Sequence, residues 1–327
     1  MIEALIDYGL FLAKTLTILL GIGLLVVGIV RARKSGHLDG DHLTVTSLND
    51  RYRDHAHALR AASSPQKAFR KSLKADRKAE KAREKSTESR NRLFVIDFQG
   101  DIKATESAAL REAITGILME AKEGDRVLIR LENAGGLVTE HGLAASQLTR
   151  LRARGIPLTV AVDKVAASGG YLMAAVADRI IAAPFAVVGS VGVVAQLPNF
   201  HRVLERHGVD FELHTAGDYK RTLTLFGENT EAGREKLRQQ LEETHGLFKD
   251  FILAYRPNLD LAQVATGEYW HGRQALALGL IDEIKTSDDF LLEAADTLDL
   301  YKVSYAAHKK PLERLLSALT QAVQGLF

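Results

Sequence analysis

The sequence predicts an α/β fold, with parallel strands buried between helices and one membrane-spanning helix ahead of them. Three observations predict it. From residue 93 onward, short strand-like runs alternate with runs of helical spacing, the pattern of βαβ units. The strand-like runs are apolar and β-branched throughout, as strands buried on both faces are. Upstream lies a 23-residue apolar run, residues 8–30, "YGLFLAKTLTILLGIGLLVVGIV", with Lys14 as its one charge.

The chain has 327 residues, 46% of them hydrophobic and 26% charged, which is ample for a buried core. It has no cysteine. Disulfides, thiolate metal sites and a cysteine nucleophile are therefore excluded. No zinc-ligand spacing, P-loop or internal repeat is present, so neither a metal nor a cofactor is expected.

At 1.5 Å per residue the 8–30 run spans roughly 35 Å, enough to cross a bilayer with some tilt. A cleaved signal peptide fits less well. Glu3 and Asp7 stand where a basic cluster would be, and "RARKSG" follows where small residues would be. Residues 1–30 are thus expected to be an uncleaved transmembrane anchor, with Lys14 reaching to the interface. Arg31, Arg33 and Lys34 flank its C-terminal end, which by the positive-inside rule would keep the body in the cytoplasm.

Residues 31–92 carry 17 Lys and Arg against 8 Asp and Glu, or +9, which leaves −7 for the rest of a chain of net charge +2. Such an arm suits a membrane surface or a nucleic acid, and the apolar run before it selects the membrane. The stretch "KAFRKSLKADRKAEKAREKSTESRNR" is helix-prone, lacks glycine and has little apolar character after Phe69 and Leu73. It is expected to be a basic helical stalk or linker, solvated or lying over anionic headgroups.

The body begins at Leu93. "LFVIDF" reads as a strand and "TESAALREAITGILMEAK" as a helix. "RVLIRLE" is the next strand, followed by "NAGG" and a helix over about 140–154. "LTVAVD" is a strand, and "VAASGGYLMAAVAD" opens the next helix. "RIIAAP" and "AVVGSVGVVA" read as short buried strands, because glycines, Ser190 and prolines interrupt what a hydropathy scan would take for a second span. At the far end "PLERLLSALTQAVQGLF" has leucines at helical spacing. It is expected to be an amphipathic helix, within a C-terminal segment 301–327, packed on the body or on another subunit.

Ser168 lies at a strand-to-helix turn, where serine is a favoured N-cap but also where a nucleophile would be exposed, with the helix dipole favouring developing negative charge. Gly169 and Gly170 would let a second backbone approach. The "NAGG" loop sits at a strand's C-terminal end, where open α/β sheets place their sites, and could supply a second oxyanion N–H. The GxSxG elbow of α/β-hydrolases is absent, since position 166 is alanine. Histidines 141, 201, 207, 214, 245 and 271 have no distinctive context. Ser64 and Lys67 form an S-x-x-K only within the charged arm. That leaves lysines: Lys164, which adjoins Asp163 as an ion-pair partner, and Lys220 in "GDYKRT", after a strand-like run and a glycine turn. A lysine base must be neutral, and lowering a lysine pKa by about 3 units costs about 4 kcal/mol, which burial can supply. Ser190 could orient it.

"AASGGYLMA", "VVGSVGVVA", "GDYKRT", "FGENTEAGREKLRQQLEETHGLF" and "GRQALALGLIDE" together resemble the signal peptide peptidase A/SohB family of membrane serine proteases, over about residues 93–285. The resemblance implies a ClpP/crotonase-like fold for a protease domain over 93–300. It also implies a Ser–Lys dyad of Ser168 and Lys220, Ser190 as the lysine-orienting residue, and Gly136 and Gly169 as oxyanion donors. Ala134 stands where the family pattern usually has proline, so Gly135 competes with Gly136 for that role. Further implications are peptide or unfolded-protein substrates, with no nucleic-acid partner. A homo-oligomeric ring, expected to be an octamer with the dyad completed between neighbours, is implied too. The resemblance also implies a catalytic domain on the periplasmic side of a bacterial inner membrane, against the direction of the basic flank. Two other classes fit less of the sequence. An idle scaffold would not need the serine, lysine and glycine pairs, and a crotonase-type acyl-CoA enzyme would need neither the dyad nor an anchor.

Overall fold

The computed structural model describes residues 9–12, 14–17, 19–20, 42–84 and 90–306. The chain divides into two units, Met1–His42 with Ala306–Phe327, and Leu43–Tyr305. In the first, residues 9–12, 14–17 and 19–20 are helical. The rest of the expected anchor and the amphipathic stretch 311–327 lie outside the described residues. Among those residues no helix is long and apolar enough to cross a membrane.

The body runs β1 (His42–Ser47), α1 (Leu48–Ser63), α2 (Gln66–Glu84), β2 (Arg92–Gly100), α3 (Ser107–Glu120), β3 (Arg126–Asn133), α4 (Val138–Ala153), β4 (Leu158–Val162), β5 (Val165–Ala167), α5 (Gly169–Ala175). It continues β6 (Arg179–Ala182), β7 (Val187–Gly189), α6 (His201–Arg206), α7 (Glu231–Tyr255), α8 (Leu261–Val264), β8 (Tyr269–His271), α9 (Gly272–Ala277), β9 (Glu283–Ile284), α10 (Ser287–Ala295), β10 (Asp299–Ala306).

The main sheet has the order β1-β10-β2-β3-β4-β6-β9, and from β10 to β9 every pair is parallel. Val127, Leu128, Ile129, Val160, Val162 and Ile180 are fully buried, as strands covered on both faces must be. α3 and α4 cover one face through Ile114, Leu148 and Leu151. The sheet branches at β3. Its first half pairs with β4, and its last residue, Asn133, pairs with Ala166 of β5. β5 then pairs with β7, and β7 with β8. This branch carries Ser168.

Two expected boundaries move. The segment expected as a stalk over 31–92 is not all free of the body. β1 is a strand of the sheet, beside β10. Leu48 is buried against Leu93, Leu291 and Leu300. The Asn49 side chain donates to the carbonyls of Ala295 and Leu298 and accepts from the Leu300 N–H at 2.7 Å. At the other end, 301–306 is strand rather than part of a terminal helix, because "DLYKVSYA" turns Leu300 and Val303 into the core.

The helical character expected of the arm holds in α1 and α2, which form a hairpin. The Asp76 carboxylate on α2 accepts from His57 at 3.0 Å and Arg60 at 2.8 Å on α1, and these bonds hold it below the ordinary aspartate range. Lys67, Arg70, Lys71, Lys74, Arg77 and Lys78 are exposed. None of the six is ion-paired among the described residues, so Asp76 faces the partner helix and these six bases face out.

Candidate active site

Ser168 joins β5 to α5 with φ 51° and ψ −121°, a backbone conformation that costs a non-glycine residue about 1–3 kcal/mol. Neighbouring strands hold it there. Its N–H donates to the Gly189 carbonyl at 2.8 Å, and its carbonyl accepts from the Leu172 N–H at 3.0 Å. It occupies the N-cap position of α5, yet its side chain makes no capping hydrogen bond. The hydroxyl is not used to hold the helix.

Ser190 stands beside it. β5 and β7 pair in parallel with Ala167 opposite Gly189, so the next residue of each strand is a serine, and both serines have positive φ, 51° and 53°. The Ser190 N–H donates to the Glu268 carbonyl at 2.7 Å, and its hydroxyl makes a longer contact to the Gly267 carbonyl at 3.4 Å.

The loop after β3 closes the third side. Gly135 has φ 88°, and a Cβ there would lie 2.7 Å from the Ser168 Cβ, so only glycine lets the loop press against the serine. The Gly135 N–H donates to the Asn133 Oδ1 at 2.8 Å. The Gly136 N–H has no acceptor among the described residues. The two glycines that the sequence left in competition thus differ in whether their N–H is already bonded. Gly169, the first residue of α5, sits against the His141 ring, where a Cβ would come within 2.5 Å.

Gly136, Ser168 and Gly169 line one cavity of about 340 Å³. Its walls are apolar, with Val138, Leu172, Leu247, Phe248 and Phe251 among them, and no charged side chain lines it. A second cavity of about 580 Å³ shares Gly136 and Ser168 with the first and adds Ser190, His245 and Thr266.

Lys220 is not brought to this place within one chain. It is exposed, on a stretch from 208 to 230 without helix or strand, and lines neither cavity. The stretch 194–226 exposes Val194, Val203, Phe211, Tyr219 and Phe226 among other large apolar side chains.

The other candidates have structural partners. Lys164 pairs with Glu132 at 2.9 Å rather than with the adjacent Asp163. Asp163 instead accepts from the N–H and hydroxyl of Ser287. Tyr171 is fully buried and donates to the Leu280 carbonyl at 2.9 Å. Burial pushes its phenol well above the ordinary range, so it stays protonated and pins α5 to the body. Two histidines without distinctive sequence context lie at the site. His141 is fully buried beneath Gly169. His245 has a buried Nε2 with no hydrogen-bond partner among the described residues, in the cavity shared by the two serines. Among the described residues no cluster of His, Asp or Glu could hold a metal.

This α/β body, with its strained serine in an apolar cleft, coincides with a peptidase by comparison with known sequences. The model described as "Peptidase family S49 N-terminal" matches residues 3–148, and that described as "Peptidase family S49" matches 150–301. The chain belongs to peptidase family S49. It is 48% identical over 325 residues to the "Probable protease SohB" of Haemophilus influenzae, covering 95% of this chain and 92% of that one. It is 46% identical over 317 residues to the protein of the same description from Buchnera aphidicola subsp. Acyrthosiphon pisum, covering 97% and 94%. Among solved structures, a 1510-N membrane-bound stomatin-specific protease aligns with a TM-score of 0.42 at 14% identity, covering 63% of this chain and 85% of that one.

Proposed function

We propose that this S49 peptidase is a membrane-anchored serine endopeptidase of ClpP/crotonase-like fold that cleaves peptide bonds with a Ser168–Lys220 dyad. The observation that carries the reading is Ser168 itself. It is held at φ 51° with a hydroxyl that caps nothing, on an apolar cavity that Gly136 and Gly169 also line. In the reaction, the Ser168 hydroxyl oxygen attacks the scissile carbonyl carbon while neutral Lys220 takes its proton. The Gly136 and Gly169 N–H groups receive the oxyanion. The lysine then gives its proton to the leaving amine, and water repeats the sequence on the acyl-enzyme. Ser190 orients the amine.

The dyad is completed between copies in a homo-oligomeric ring, for which we propose an octamer. An exposed lysine lacks the burial that a lysine base needs, and the cavity beside Ser190 in a neighbour would supply it. The exposed apolar side chains of 194–226 give the same segment a reason to be covered. The apolar run 8–30 supports an anchor in the bacterial inner membrane, and the family resemblance, against the basic flank, supports a body on the periplasmic side. Its substrates there would be cleaved signal peptides or misfolded envelope proteins.

A fluorophosphonate probe should label the protein once, at Ser168, as mapped by mass spectrometry of the full chain in detergent. Labelling elsewhere, or none, would remove the serine from the mechanism. The cavity should take an apolar side chain next to the cut. Gly142 lies on α4 between Val138 and Ser146, all three facing that cavity, and an added Cβ meets nothing within 4 Å. Gly142→Leu should therefore raise KM for peptides with a large apolar residue there by about tenfold or more. The small probe should still label Ser168 at a near-normal rate.

A further inference from the structure

The Asn133 carboxamide is a buried polar group at the joint of the site, and no step of the dyad chemistry uses it. It is fully buried at the end of β3. A backbone N–H can only donate, so the Asn133 atom 2.8 Å from the Gly135 nitrogen is the carbonyl oxygen. The amide nitrogen then faces the Met173 sulfur of α5 at 3.4 Å. The same oxygen lies 3.1 Å from the Nε2 of His141, also fully buried. Both ring nitrogens face oxygens and a neutral imidazole donates from one of them, here taken as Nε2 toward Asn133. The His141 Nδ1 lies 3.0 Å from the Leu137 carbonyl, and the face of the ring lies under Gly169.

We infer that Asn133 and His141 form a positioning pair that sets both oxyanion donors. Asn133 takes up the Gly135 N–H, which turns the loop so that the Gly136 N–H is the one left for substrate. His141 fixes the carboxamide through its Nε2 and fixes the start of α5 through its ring. One side chain thus bears on the backbone of each glycine segment. The arrangement also fits the alanine at 134. Without a proline to stiffen the turn, a side-chain hydrogen bond across residues 133–135 can do so, as asparagine does in Asx turns. Asn133 lines neither cavity, and His141, though part of the wall of the first, is fully buried. Both act through the glycines.

The inference rests on the serine-hydrolase reading, and the test separates the two. The second-order rate of Ser168 labelling by a fluorophosphonate reports the oxyanion site without peptide binding, and kcat and KM for an apolar peptide report the rest. His141→Phe keeps a ring beneath Gly169 and removes the donor. It should slow labelling and kcat by about 10²-fold with KM within about threefold. His141→Gln restores a donor toward Asn133 and should recover most of the loss. Asn133→Leu should behave as His141→Phe does, whereas Asn133→Asp, which still accepts from both neighbours, should stay near wild type. Thermal melting identifies any variant that fails to fold, and the Asn133 pair then decides if His141→Phe is that variant. Labelling of His141→Phe at the wild-type rate, or a Gln variant as impaired as the Phe one, overturns the positioning role alone. A wild-type chain that is not labelled at Ser168 overturns the serine reading and this inference with it.

Discussion

Ser168→Ala is expected to remove peptide cleavage almost entirely, by about 10⁶-fold in kcat, and to leave the protein folded. Both halves of the expectation come from the geometry. The reaction as proposed has no other nucleophile. Tyr171, three residues on, is buried and bonded to the Leu280 carbonyl, and Ser190 contacts the Gly267 carbonyl. Loss of an N-cap serine ordinarily costs about 1 kcal/mol, but Ser168 makes no cap bond, so the stability change should be smaller. Ser168→Gly sharpens the point. Glycine tolerates positive φ, so this variant should be equally inactive yet melt at or above the wild-type temperature, as residues kept strained for function allow. Peptide hydrolysis and urea denaturation of both variants provide the check. Cleavage by Ser168→Ala within tenfold of wild type would end the assignment.

Lys220→Ala should be as inactive as the serine variant, because the two residues act as a unit and their losses do not add. The informative experiment mixes the two dead proteins. Lys220 lies on an exposed stretch and lines neither cavity at Ser168, which fits a lysine supplied by a neighbour. In a ring with head-to-tail contacts, equal mixing of Ser168→Ala and Lys220→Ala chains leaves about a quarter of the sites with an intact serine facing an intact lysine. Activity should return to about that level once subunits exchange. Proven mixing with no recovery would show that each subunit supplies its own base. Activity in Lys220→Ala alone would remove the lysine from the chemistry, and His245, in the cavity with Ser168 and Ser190, would be the first residue to substitute next.

Much of the body was legible in the sequence because it is locally encoded. Buried parallel strands are continuous apolar runs, so "RVLIRLE" and "LTVAVD" announce β3 and β4, and helical spacing announces α3 and α4. Ser168 and Ser190 could be singled out because glycines flank them, and glycine marks the places where backbones press together. What could not be read depends on contacts between distant residues. Asn49 bonds to residues 246 to 251 positions away, and nothing in "HLTVTSLND" signals that a basic arm begins as part of the sheet. The Asn133–His141 pair meets because β3 ends where α4 begins to fold back, and a single hydrogen bond between buried side chains leaves no periodicity. The glycine pair after β3 was visible, with Gly136 preferred by the resemblance, but the Asn133 bond that takes up the Gly135 N–H was not. Lys220 is the limiting case. Its motif was visible, yet its place in one chain is solvent, and the completed arrangement would involve a second copy.

The docking of β1 and Leu48 decides where the chain can be shortened. A soluble version begun at Leu93, the first residue of obvious body character, would discard the strand beside β10 and uncover Leu93, Leu291 and Leu300. The sheet would then end on the eight-residue β10 instead of the six-residue β1, a longer row of unpaired peptide groups and a better template for sheet-to-sheet aggregation between copies. The six-residue strand ahead of the basic hairpin therefore serves as an edge guard, and a shortened gene that keeps it would keep the protein in solution.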